Sequence, residues 1–211
     1  SSDIPRFDRL DESRNGTLRF AEWRYGPQKR LLISPQFDMR PEWSFLDNGT
    51  ITMAYQNVQE SRIQRSFGSL DRSYREETVD IFSINGDFSV SLSDKGKRNL
   101  SYGFEMAYND VNSNSFGREL DVLDNSIVGF SNDFSVQSRY PDGGSNYMSS
   151  ALYAGYRQDL NKKSTLNTGV RYTHTSLNAT WIDQTFIQLP ETNLHFNNSA
   201  FTATIGYVFR P

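Results

Sequence analysis

The sequence predicts an all-β protein, an antiparallel transmembrane β-barrel of which this chain forms an arc of about seven strands. Three observations point there. Apolar and polar residues alternate with period two over segments of strand length. Short turns alternate with long polar connections. Tyrosines gather near strand ends and on the apolar rows, as in the aromatic girdles of barrels.

Taken in order, the first apolar row is Leu31, Ile33, Phe37 and Met39, followed by a turn through Arg40-Pro41-Glu42-Trp43 that closes at Asp47-Asn48-Gly49. Ile51, Met53 and Tyr55 begin the return strand, which continues with growing polarity toward Gln64. Phe82, Ile84, Phe88, Val90 and Leu92 then oppose Ser83, Asn85, Asp87, Ser89 and Ser91. A polar turn, with the basic group Asp94-Lys95-Gly96-Lys97-Arg98, leads to the clearest strand. There Leu100, Tyr102, Phe104, Met106 and Tyr108 alternate with Ser101, Gly103, Glu105, Ala107 and Asn109. A second hairpin sets Leu152, Ala154 and Tyr156 against Leu166, Val170 and Tyr172, across a turn at Asn161-Lys162-Lys163-Ser164. Phe201, Ala203, Ile205, Tyr207 and Phe209 close the series.

The turns near 41–49, 94–98 and 161–164 are short; the connections near 61–75, 112–146 and 178–198 are long and polar. Segregation of this kind is the mark of outer-membrane barrels, whose long loops lie outside the cell. About seven strands would enclose an implausibly tight lumen, and bacterial barrels normally have an even number, so the wall is expected to be part of a larger one. Periodicity leaves a second reading open, in which the same apolar rows fill the core of a soluble sandwich.

Composition narrows the remaining classes. The 211 residues carry 22 Lys and Arg against 25 Asp and Glu, a net charge of -3, with no dense basic patch, which disfavours nucleic acid as a partner. There is no cysteine, hence no disulfide framework and no thiolate metal site. No run approaches the ~18 apolar residues of a membrane helix. The mean hydropathy of -0.65 does not oppose a barrel, whose strands are half polar. The opening Ser1-Ser2-Asp3-Ile4-Pro5 has no secretory-signal character, so the chain reads as mature or as a fragment.

Several runs resemble the barrels of TonB-dependent outer-membrane receptors, of the haem- and siderophore-receptor-like kind found in Bacteroidetes-type bacteria. Ile4-Pro5-Arg6-Phe7-Asp8-Arg9-Leu10, with the stretch from Leu18 to Arg30, is similar to an extracellular loop leading into a descending strand. Glu60-Ser61-Arg62-Ile63-Gln64-Arg65 with Arg75-Glu76-Glu77 resembles the next outer loop and its flanks. Ser138-Arg139-Tyr140-Pro141-Asp142-Gly143-Gly144 resembles the descent into a hairpin, and Leu166-Asn167-Thr168-Gly169-Val170-Arg171-Tyr172 a strand common in these walls. The resemblance implies a barrel of about 22 strands filled by a plug domain, and uptake of an iron-siderophore, haem or similar cargo. It also implies drive from the TonB complex acting through the plug, residence in the outer membrane of a Gram-negative bacterium, and in some members a surface lipoprotein. Neither plug nor TonB-contacting segment lies within this sequence.

Site residues follow from the faces. Glu105, Arg157 and Arg171 are expected on the lumen side, where charges can pair with the plug and wall or line a substrate path. Arg118, Arg139, Tyr140, Trp181 and Phe186, in the long loops, offer cationic and stacking contacts for cargo. Of the two histidines, neither in a metal-binding spacing, His174 falls at the outer rim. The resemblance opens a haem contact for His195, in a long loop, beside the plainer reading of an incidental residue. Asp142-Gly143-Gly144 reads as a turn before a calcium loop. No nucleophile elbow, phosphate loop or paired catalytic carboxylate appears, and neither an enzyme nor a resident cofactor or metal is expected. Three classes therefore compete: an active transporter wall, a passive or structural barrel, and a soluble extracellular β-domain.

Overall fold

A computed structural model describes residues 3–41, 43–93 and 96–210. Parts of two expected turns, Glu42 and Asp94-Lys95, lie outside the described residues. The elements are β1 (Ile4–Pro5), α1 (Phe7–Leu10), β2 (Ser13–Arg14), β3 (Thr17–Leu18), β4 (Phe20–Tyr25), β5 (Lys29–Ile33), β6 (Gln36–Met39), β7 (Asn48–Ser66) and β8 (Asp71–Ser91), followed by β9 (Arg98–Leu123), β10 (Ser126–Phe134), β11 (Ser145–Asn161), β12 (Ser164–Thr180) and β13 (Asn193–Phe209). No helix among them is long and apolar enough to cross a membrane.

Eleven strands make one sheet, and every pairing in it is antiparallel. The fold is all-β. β4, β5 and β6 run end to end along the same edge of β7. They form one ribbon interrupted at Pro27 and Pro35, residues that cannot donate to the ladder. Counting that ribbon once, and setting aside the two-residue β1 at the edge of β4 and β10 folded back on β9, the sheet is seven ribbons wide: β4–β6, β7, β8, β9, β11, β12 and β13. Among the described residues it does not close on itself, since β13 pairs there only with β12.

Register puts the apolar rows together. Met53, Ile84 and Met106 pair in sequence, as do Tyr55, Phe82 and Tyr108. Further along, Phe104, Leu152, Tyr172 and Phe201 form one row across four strands. Nothing packs over this face among the described residues: Leu152 is 64% exposed, Phe201 69% and Ile205 80%. Buried apolar residues are few, among them Trp23, Leu46, Ile63 and Leu120, and most lie at the two ends of the strands. The opposite face carries Thr50, Asn85, Asp87, Glu105, Arg171 and Thr202, side chains that tolerate water.

Two expected long loops are strand. The 61–75 connection is the paired continuation of β7 and β8, with Ser61 opposite Glu76 and Arg65 opposite Arg72, closed by a turn over 67–70. Most of 112–146 is the extension of β9, folded back as β10 through Asp124 and Asn125. Both have positive φ, 50° and 60°, which the right-handed twist of a two-residue hairpin demands. The sequence hides these ribbons because Ser61, Arg65 and Glu76, like Asp110, Asn112 and Asn114, take the positions that carried the apolar rows, so the period-two contrast fades there. The irregular connections at this end are 135–144 and 181–192.

Candidate functional site at the long-strand end of the polar face

The long strands project well beyond their apolar rows. β8 has 21 residues and β9 has 26, against the ~9–11 a membrane strand needs. On the polar side of this projection the 135–144 segment folds over the sheet. Arg75 Nε donates to the Gln137 carbonyl at 3.0 Å, and the Ser115 hydroxyl to the Val136 carbonyl at 2.5 Å. Its far end is tied to the 181–192 segment, because the Asp142 carboxylate accepts from the Ile182 and Asp183 backbone N–H groups at 2.9 and 2.8 Å. Gly144 follows with φ 88°, a left-handed turn that favours glycine. Asp142-Gly143-Gly144 is thus a turn whose carboxylate serves backbone donors.

Two cavities flank this strap. One, about 380 Å³, lies between Ser113, Arg139, Tyr140, Trp181 and Phe186. The other, about 420 Å³, is walled by Val58, Val79, Val111 and Leu177, with Glu60 and Glu77 facing it. Arg139 and Tyr140 line both. Four of the six residues expected to meet cargo, Arg139, Tyr140, Trp181 and Phe186, are therefore brought together.

The other two are not. Arg118 lies on the apolar-row side of β9, where its guanidinium sits over Phe116 and Phe130 at 5.3 and 5.4 Å and pairs with Asp133 at 3.4 Å. His195 is in strand β13 and not in a loop, hydrogen-bonded to Asn178 and, at 2.8 Å, to Asn197. Its strand continues the β12 ladder, disguised because Asn193, Asn197 and Ser199 take the positions that carry the apolar row farther along. His174 pairs with Ser199 at 2.9 Å, one step beyond Tyr172 on the apolar-row face. Tyr147, near the start of β11, faces the second cavity.

Lower on the polar face, Arg171 and Glu105 make a salt bridge at 2.5 Å across the intervening β11. The Arg171 guanidinium also lies 5.7 Å from the Tyr153 ring, and the Tyr153 hydroxyl donates to Asp87. Arg157 shares this face and pairs with Asp159 at 3.2 Å. The three charges expected to share a side do so, with Tyr153 and Asp87 added by the structure.

The densest charges sit at the strap. Glu60 and Glu77 are direct cross-strand partners, and so are Arg62 and Arg75 beside them. Arg62 donates to Glu60 at 3.0 Å. Glu77 is only 6% exposed, and among the described residues neither carboxylate oxygen has a hydrogen-bond partner. Arg139 stands 3.9 Å from Glu60 and 3.8 Å from Glu77, close enough to attract both and too far to hydrogen-bond. Burial pushes the Glu77 carboxyl, which lies beyond the apolar rows, above its ordinary range, against the pull of Arg139 and Arg62. Counting back from Phe82 and forward from Tyr55 in steps of two would have placed Glu60, Arg62 and Glu77 on the polar face.

Set against known proteins, the chain matches no family model and none of the curated sequences.

Proposed function

We propose that this chain is a wall segment of an outer-membrane β-barrel whose apolar rows meet lipid and whose polar face looks into the barrel. The observation that carries the reading is the single-layer sheet with one uncovered apolar face. A soluble domain buries such a face against a second layer; here the described residues supply none. The row from Leu100 to Tyr108 spans about 27 Å along the strand, or about 21 Å along the membrane normal at the ~40° tilt usual for barrels, near the ~25 Å apolar band of such walls. Tyr55, Phe82 and Tyr108 border the row on one side, and Phe88 with Tyr102 on the other, where girdle aromatics belong. The free edge of β13 calls for further strands, since an unpaired edge is not tolerated in lipid.

Within that class the resemblance to TonB-dependent receptors favours active uptake of a scarce nutrient. The strap and its two cavities are the place where cargo would first meet the wall, and Glu105, Arg157 and Arg171 lie deeper along the same face. The plug, the remaining strands, the TonB complex, an accessory lipoprotein and residence in the outer membrane belong to this reading. Two measurements test it. The protein should float with liposomes after refolding and resist alkaline extraction; a stable monomer without detergent would refute the wall. Cells carrying the full-length gene should lose cargo uptake when TonB is deleted, whereas unchanged uptake would favour a passive barrel.

A further inference from the structure

We infer that the Glu60–Glu77 carboxylate pair is a receiving site for an organic cation, an alkyl guanidinium or ammonium such as a basic peptide side chain, and that Arg139 of the strap occupies it in the absence of ligand. The inference rests on the preceding reading only for the side from which ligand arrives.

Three features carry it. Glu77 is more than nine-tenths buried, faces the 420 Å³ cavity, and among the described residues has no hydrogen bond on either oxygen. A buried carboxylate without donors costs several times what an ordinary hydrogen bond returns, so such a group signals a missing partner. Second, Glu60, Arg62, Arg75 and Glu77 form a two-by-two array that is neutral in sum but polarised, its negative side formed by the paired glutamates. Like charges placed directly opposite are unfavourable without a counterion. The fifth charge, Arg139, is set at that negative side, yet at 3.8 and 3.9 Å it hydrogen-bonds to neither carboxylate; Glu60 is served by Arg62, whereas Glu77 is left without a donor among the described residues. Third, the cavity around the pair is walled by Val58, Val79, Val111 and Leu177, which suits the apolar stem of a cation and not a hydrated metal ion.

A guanidinium entering this cavity can approach Glu77 to hydrogen-bonding distance, which the strap does not let Arg139 do. Charge-assisted bonds of this kind are about twice as strong as neutral ones. Binding then frees Arg139 and loosens the strap, joining the two cavities on either side of it.

The test is titration of the detergent-refolded full chain with butylguanidinium, and with pentanoate as an apolar anion of similar size, followed by calorimetry or NMR. Butylguanidinium should bind and pentanoate should not. Glu77→Gln should weaken the cation at least about tenfold, while Arg139→Gln, which removes the competitor from an exposed segment, should tighten it by about tenfold. Equal binding to wild type and Glu77→Gln, weaker binding to Arg139→Gln, or preference for pentanoate would each overturn the inference. Because the readout needs no bilayer, failure to insert into liposomes with intact cation binding would count against the membrane wall alone.

Discussion

Tyr153 of β11 reaches across Gly103 of β9 to donate its hydroxyl to Asp87 of β8. Asp87, Gly103, Tyr153 and Arg171 occupy one register row, so the phenol must pass over the position between its own strand and its acceptor. A Cβ at 103 would collide with the Tyr153 ring and with the Gly86 carbonyl. Glycine is required here for close approach, not for an unusual φ.

That collision gives the first prediction. Gly103→Ala should destabilise the folded state by about 1–3 kcal/mol, the usual cost of overpacking, because one obstacle is backbone and cannot swing aside. Tyr153→Phe, which leaves the row in place, should cost about 1 kcal/mol or less. Denaturant unfolding in detergent distinguishes them. Equal costs would contradict the role assigned to Gly103.

The Arg171–Glu105 salt bridge should behave differently. Its side chains are 38% and 45% exposed, so water screens the pair. Glu105→Gln is expected to change stability by less than about 1 kcal/mol. A larger loss in unfolding experiments would mean that the polar face is covered in solution.

Stability should fall with rising pH through Glu77. Its carboxyl titrates above the ordinary range because burial disfavours the charged form. A group with a raised folded pKa contributes stability that is complete below its unfolded pKa and lost as pH climbs through the folded value. Glu60, Arg62, Arg75 and Arg139 all face it, and the three arginines limit the shift. Glu77→Gln should flatten this dependence and raise stability near neutrality. An unchanged pH profile in thermal unfolding would show that Glu77 is ionised and solvated.

Asp142 is the tie between the two irregular connections. Asp142→Ala leaves the Ile182 and Asp183 N–H groups without their acceptor. Proteolysis within 181–192 should accelerate several-fold while the sheet's far-UV signal is kept. Cleavage at the wild-type rate would mean that the Trp181–Phe186 segment is held by other contacts.

How much of this was legible depended on contrast between faces. From Leu100 to Tyr108 every second residue is apolar and every other one small or polar, so strand, phase and facing were readable residue by residue. Beyond Tyr108 the same strand runs on for fifteen residues to Leu123. Asp110, Asn112 and Asn114 now occupy the row that Met106 and Tyr108 began, and the pattern that identifies a strand disappears. His195 was misplaced for the same reason, its neighbours Asn193, Asn197 and Ser199 concealing β13. In the site, Arg139, Tyr140, Trp181 and Phe186 announced themselves as large contact residues in loops. Glu77 did not, because its significance lies in Glu60 across the ladder and in the strap above, relations that no local spacing records.

The most direct measurement compares adjacent residues on opposite faces of β13. Phe201→Trp and Thr202→Trp are refolded separately into vesicles of brominated and ordinary lipid, with the background of the native Trp23, Trp43 and Trp181 subtracted. Strong quenching at position 201 and little at 202 is the expected result. Equal quenching at both positions, or none at either, would contradict a sheet with one face in lipid.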